Sequence, residues 1–201
     1  MKCKILEKAG EMFLNFGFKS VTMDEIADEL GISKKTIYAN YKNKNVLIEA
    51  ATMSLFEMIS QGIDCICDLE KNPIEELFEI KRFIHTNLKD EKSSPYYQLQ
   101  KYYPSIFHTL KMRQLELMDS CVTQNLKRGI SLNLYRKEID LNFISRIYFV
   151  GVTGIKDQET FPVNQFETKH LNSCFLNYHI RAICTEKGKQ KLEKLLPENE
   201  K

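Results

Sequence analysis

Residues 16–47 run Phe16-Gly-Phe-Lys-Ser-Val-Thr-Met-Asp-Glu-Ile-Ala-Asp-Glu-Leu-Gly-Ile-Ser-Lys-Lys-Thr-Ile-Tyr-Ala-Asn-Tyr-Lys-Asn-Lys-Asn-Val-Leu47. Two short helices can be marked out in them by their start and stop signals. Thr22 and Glu25 form a capping box, in which each side chain takes up a backbone donor that the first helical turn leaves free. Val21, just before the cap, can pack on Ile26 as a hydrophobic staple. Met23, Ile26, Ala27 and Leu30 face inward, and Gly31 stops the helix. Ser33 caps the next helix, with a second staple between Ile32 and Ile37. Two helices joined by Gly31-Ile32-Ser33 make a helix-turn-helix. Upstream, Ile5, Leu6, Ala9, Met12, Phe13 and Phe16 repeat at the spacing of one helical stripe, and Gly17 ends it in a left-handed conformation.

Charge is uneven around this motif. The chain carries a net +2, and residues 1–47 hold all of it, with 8 Lys against 6 Asp and Glu. Lys34, Lys35, Lys42 and Lys44 lie in a stretch with no acid between Leu30 and Ile48. In a helix-turn-helix the second helix enters the major groove, where its first residues reach base edges. Ile37 and Tyr38 are expected to occupy the inward face of that helix, which leaves Lys34, Lys35, Thr36, Ala39 and Asn40 for the outside. Lys can donate to guanine O6 and N7, and Thr or Ala can touch a thymine methyl. The hydroxyls of Thr22 and Tyr41 and the ammonium groups of Lys42 and Lys44 are placed for phosphates. Lys44 also sits at a helix N-terminus, where free N–H groups attract anions.

Residues 16–47 closely resemble the DNA-binding region of the TetR/AcrR family of bacterial transcriptional repressors. The likeness rests on the Ile26-Ala27 core pair, the Gly31-Ile32-Ser33 turn, Thr36-x-Tyr38, aromatic Tyr41 and Lys44. It implies a DNA-contacting set of Thr22, Ser33, Lys34, Lys35, Thr36, Tyr38, Asn40, Tyr41, Lys42 and Lys44. It further implies a homodimer on a palindromic double-stranded operator, with C-terminal helices that form the dimer interface and enclose a small-molecule effector. No cofactor, metal or enzymatic activity belongs to this expectation.

The rest of the chain supports an all-α fold of about nine or ten helices: a DNA-binding domain at 1–47, then a larger helical ligand-binding and dimerisation domain at 48–201. Eight Gly and five Pro leave long stretches without turn punctuation. Hydrophobic residues at 43% and charged residues at 28% suit a soluble globular protein. Asn43 is expected to cap a helix over about 44–67, and Asn72-Pro73 to start the next. Residues 89–94 read as a charged, Ser-rich loop. Pro95 and Pro104 each start a helix, the second reaching about Lys127. Further helices fall over Leu141–Ile155, about Val163–Cys184 and Lys189–Leu196, with Gly188 as a breaker.

Tyr96, Tyr97, Tyr102, Tyr103, Phe107 and His108 form an aromatic belt, and with Phe83 they are the candidate ligand pocket. The dimer candidates are Ile144, Ile147, Tyr148, Gly151, Ile155, Leu176 and Ile180, with Gly151 and Gly154 open to close helix approach. Six scattered Cys suit a reducing cytosol. No apolar stretch approaches the roughly 18 residues of a membrane span, so the expected location is cytoplasmic. Cys65 and Cys67 diverge around a helix, and His170 with Cys174 lacks a third converging ligand, so no metal is expected. The rival class is a small helical enzyme that pairs Cys121 with His108 in an aromatic pocket, which would leave the two staples and the basic helix face unexplained.

Overall fold

Each short helix at the N-terminal end begins where a side chain takes up a free backbone donor. In this computed structural model, which describes residues 1–88 and 95–199, Thr22 Oγ1 accepts from the Glu25 N–H and Glu25 accepts from the Thr22 N–H. The Ser33 hydroxyl accepts from the Thr36 N–H, and the Asn43 carboxamide oxygen from the Val46 N–H. Gly31 closes its helix at φ 61°, ψ 35°, the left-handed geometry expected. Gly17 also has positive φ, but at ψ 154° it lies outside the left-handed helical well, in a conformation open chiefly to glycine.

The helices are α1 Lys2–Phe16, α2 Met23–Leu30, α3 Lys34–Asn40, α4 Lys44–Cys67, α5 Pro73–Leu88, α6 Pro95–Tyr102, α7 Pro104–Ser131, α8 Leu141–Gly154, α9 Thr168–Ile183 and α10 Glu186–Asn199. The described residues contain no strand, only an isolated antiparallel bridge between Tyr135 and Cys184. The fold is all-α. The loop expected at residues 89–94 lies outside the described residues.

Two compact units divide the chain, the first from Met1–Ser60 and Leu88–Met112, the second from Gln61–Asn87 and Arg113–Lys201. Unit 1 thus takes in α6 and the start of α7 as well as the helix-turn-helix. Its core joins Ile5, Ala9, Phe13, Ile26, Ile37, Leu47 and Ile48 with Leu99, Ile106 and Leu110. Gln98 braces the turn after α1, accepting from the Lys19 N–H at 3.2 Å. By length and composition α4 is apolar enough to cross a membrane, contrary to the sequence expectation, but it buries Leu47, Ile48 and Ala51 in this core.

Unit 2 packs Ile74, Leu77, Phe78, Val122, Leu126, Tyr135, Leu176, Ile180, Ile183 and Leu192 together. Two boundaries differ from expectation there. Residues 163–167 precede α9, because Pro162 starts a turn in which its carbonyl accepts from the Gln165 and Phe166 N–H groups. Gly188 lies inside α10 and breaks nothing. The interruption is Cys184, in extended backbone and bridged to Tyr135, after which the Thr185 hydroxyl accepts from the Gly188 N–H and starts α10. A Cβ at Gly188 would stand 2.1 Å from the Leu134 carbonyl oxygen, so this glycine is needed for close approach.

Candidate nucleic-acid interface

The seven residues of α3 make two turns, and Ile37 is the fully buried one. Lys34, Lys35, Tyr38 and Ala39 are exposed, as is Lys42 just beyond the helix. Tyr38 was expected inward beside Ile37 but is 49% exposed. A step of about 100° per residue carries it off the buried stripe once Ile37 is centred there. Positions 34 and 38 stand one turn apart on one face, with 35 alongside, so the outward face joins cations to one aromatic hydroxyl.

Several candidates are committed within the protein. Tyr41 is 3% exposed, and its hydroxyl donates to the Lys2 carbonyl at 3.4 Å while the Lys2 ammonium lies 5.7 Å from its ring centre. Its phenol is a core group, a correction to the phosphate role expected of it, and burial pushes its pKa up. Lys44 Nζ donates to the Lys19 carbonyl at 3.1 Å and is half-buried, and desolvation lowers its pKa. Asn40 donates to the Thr36 carbonyl at 2.8 Å. The hydroxyls of Thr22 and Ser33 serve their caps, and Ser33 and Thr36 share a hydrogen bond at 2.9 Å.

Lys34 pairs with Asp24, which raises its pKa through the hydrogen bond; both side chains are exposed, so the pair is weak in water and open to exchange. Lys35 and Lys42 form no ion pair among the described residues. The available set is therefore Lys34, Lys35, Tyr38, Ala39 and Lys42, with Thr36 half-buried behind it. Lys19, which the sequence reading left out, brackets the same turn with its ammonium 4.9 Å from the Tyr102 ring centre.

The aromatic belt belongs to unit 1 and braces its core. Tyr103 meets Phe18 at 6.2 Å and Phe107 meets Tyr96 edge-on at 5.0 Å. Tyr102 and His108 are exposed. Phe83 lies in unit 2, its ring where a Cβ on Gly62 would stand. Two cavities, of about 10 and about 170 Å³, lie in unit 2, and none of the expected pocket residues lines either.

The expected dimer residues also divide. Leu176 and Ile180 are buried in the core of unit 2, the Phe175 ring covers Gly151, and Tyr148 packs on Phe175 and His179 at 5.7 and 4.8 Å. Ile144 and Ile155 are half-buried. Of the expected set Ile147 is exposed, and it continues into Phe143, Val150 and Gly154 on α8, with Tyr178 exposed on α9. The period of α8 was legible; which of its two apolar faces α9 covers was not.

No group of three or more His, Cys, Asp or Glu is arranged for a metal ion among the described residues. Cys174 and His170 touch at 3.3 Å on an exposed face, and His179 lies in the core, where burial lowers its pKa to about 4. Burial pushes the Cys121 thiol up, the reverse of what a nucleophile needs.

Residues 5–51 match the bacterial regulatory proteins, tetR family. The chain is 33% identical over 87 residues to the HTH-type transcriptional regulator YhgD of Bacillus subtilis, covering 41% of this chain and 46% of that one. It is 28% identical over 74 residues to the HTH-type transcriptional repressor KstR2 of Mycolicibacterium smegmatis, covering 37% and 36%. The chain thus spans less than half the length of these relatives. The regulatory protein TetR from Rhodobacter sphaeroides shares the fold, at TM-score 0.72 and 15% identity over 90% of this chain and 97% of that one. The helix-turn-helix is thus matched in sequence to the tetR family of bacterial regulatory proteins over residues 5–51, and the chain as a whole shares the all-α fold of that solved regulator.

Proposed function

We propose that this chain is a DNA-binding transcriptional repressor, acting in the cytoplasm as a homodimer on a palindromic operator and released by a small-molecule effector. The observation that carries the reading is the outward face of α3. Lys34, Lys35 and Tyr38 stand exposed on a capped helix whose opposite side is locked by Ile37, and Lys42 is exposed just past its end. Lysines there neutralise phosphates and reach guanine edges, and Tyr38 can donate to phosphate or stack on a sugar. A two-fold dimer presents two such helices about one DNA turn apart, which is why a palindrome is proposed.

The exposed apolar face of α8 and α9, Phe143, Ile147, Val150 and Tyr178, supports a self-complementary interface. Effector release would act through α4, whose first turn belongs to the head and whose last residue is Cys67 in unit 2. An effector shifts such an equilibrium only by its differential affinity for the two states, on the order of 1–3 kcal/mol.

The test is a titration of labelled duplex at two salt concentrations, with selection from random duplexes. A steep salt dependence and a recovered palindrome are the expected results. Binding that ignores salt, or no binding to any duplex, would overturn the proposal.

A further inference from the structure

The larger cavity of unit 2, about 170 Å³, is walled on one side by Cys67 from the end of α4 and on another by Cys121 from the middle of α7. The two thiols thus face one cavity from different helices, close enough for each to perturb the other electrostatically. Both are half-buried, so they reach the cavity without lying open on the surface. Around them stand Asp68, Glu70 and Glu76, with one cation, Arg128, which is already paired with Glu76. We propose that Cys67 and Cys121 form a dithiol binding site for a thiophilic centre that bonds two sulfurs at once, with trivalent arsenic compounds as its ligand class.

Three features select that chemistry. First, two cysteines from different helices line one cavity, whereas Cys65, two residues from Cys67, is exposed. Second, the surroundings disfavour free thiolates: burial and Glu76 push Cys67 up to about 12, and burial raises Cys121. Thiols held in this way are poor targets for peroxide, which attacks the thiolate. A ligand that leaves no charge behind is favoured instead. An organic arsenic(III) oxide reacts with two thiols by breaking two S–H bonds and the As=O bond; two As–S bonds form and one water departs, with no change in net charge. Third, no group of three or more His, Cys, Asp or Glu is set for a metal among the described residues. Four-coordinate zinc therefore lacks its ligands, while a centre content with two protein sulfurs does not. The site stands on the two thiols whether or not the chain binds DNA.

The probe is phenylarsine oxide, added to the full reduced chain and followed by intact mass. One arsenical per chain should survive a wash with excess monothiol and leave on addition of a dithiol, because a single As–S bond exchanges with monothiol and a chelated pair does not. Cys67→Ser and Cys121→Ser should each lose the wash-resistant adduct, while Cys65→Ser keeps it. Should either Ser variant fail to fold, proteolysis of the wild-type adduct under non-reducing conditions should yield one species joining the Cys67 and Cys121 peptides. An adduct stripped by monothiol, retained in Cys67→Ser or Cys121→Ser, or mapped to another cysteine would overturn the proposal. So would retention of Zn²⁺ through dialysis by the wild type but not by those two variants.

Discussion

Among the described residues unit 1 buries a single polar side chain, Thr52, whereas unit 2 buries Glu76, Asn125, Ser145 and His179. The cores differ accordingly in what specifies them. In unit 1 apolar stripes meet, and the polar work is done at helix ends by caps a few residues long. In unit 2 a charge lies inside. Glu76 accepts from Asn125 at 2.8 Å and from Arg128, Asn125 also donates to the Pro73 carbonyl at 2.9 Å, and the Tyr135 hydroxyl donates to Asn125 at 3.0 Å. A buried polar network tolerates little displacement, because a lost partner leaves an unmet group in a poor solvent. The first unit can trade one apolar residue for another of similar volume; the second cannot lose one member of its network alone.

The largest expected effect breaks that network. Arg128→Met leaves the Glu76 carboxylate buried without its cation and should cost unit 2 about 3–5 kcal/mol. Hydrogen exchange followed by mass spectrometry should show protection lost in α5, α7 and α9 while α1 to α3 keep theirs. Protection lost first in α1 to α3 would refute the division. The matching change in unit 1 is Ile26→Ala, which hollows an apolar core with nothing polar to strand, at about 2–5 kcal/mol. Its protection should fall in α1 to α3 and DNA binding should go with it, while the proposed dimerisation, which rests on α8 and α9, persists. A variant that becomes monomeric along with that loss would show that the two units do not stand apart.

Next comes a pH effect confined to unit 2. His179, among the Tyr148 and Phe175 rings, has its pKa lowered by burial to about 4, against 6.5 for a free imidazole. Above that ordinary value both folded and unfolded chains hold it neutral, and folding pays no penalty. As pH falls below 6.5 the unfolded chain gains a proton that the folded one refuses, and the loss of stability levels off below about 4. Between pH 7 and pH 5 this should cost about 2 kcal/mol. His179→Gln should flatten the fall in melting temperature over that interval relative to wild type, and equal slopes in the two proteins would contradict the assignment.

The same contrast explains what the sequence could announce. Thr22 with Glu25, Ser33 with Thr36 and Asn43 with Val46 are partners three residues apart, so their residue types alone gave the ends of α2, α3 and α4. Asn125 and Arg128 are 49 and 52 residues from Glu76 along the chain, and nothing local at any of them marks the pairing. Helical period located α8 and α9 but not their buried sides, so Leu176 and Ile180 carried an interface signal that belongs to the core. In α3 the ambiguity was smaller in angle and larger in consequence. Seven residues do not define a stripe well enough to separate Ile37 from Tyr38. Tyr41 and Lys44 carry the right chemistry for phosphates, but a carbonyl elsewhere in unit 1 claims each polar group. No short-range pattern reveals a backbone acceptor brought up from residue 2 or 19.

The smallest expected effect separates the free lysines of unit 1 from the committed one. A phosphate contact releases about one counterion, so removing one lowers the slope of log affinity against log salt by about one, on every duplex alike. Lys35→Ala and Lys42→Ala should each show this loss, since both ammonium groups stand exposed and unpaired among the described residues. Lys44→Ala should lower the slope by less. Its ammonium already donates to the Lys19 carbonyl, and desolvation lowers its pKa, so part of its role is to tie the start of α4 to the turn after α1. That tie predicts a second signature: Lys44→Ala should reduce the thermal stability of the head, whereas Lys35→Ala and Lys42→Ala should leave it unchanged. Measured together, slope and melting temperature place each lysine on one side of the comparison. A full unit of slope lost from Lys44→Ala with no change in melting temperature would make it a phosphate contact like the other two, and the Lys19 carbonyl a resting place that DNA displaces.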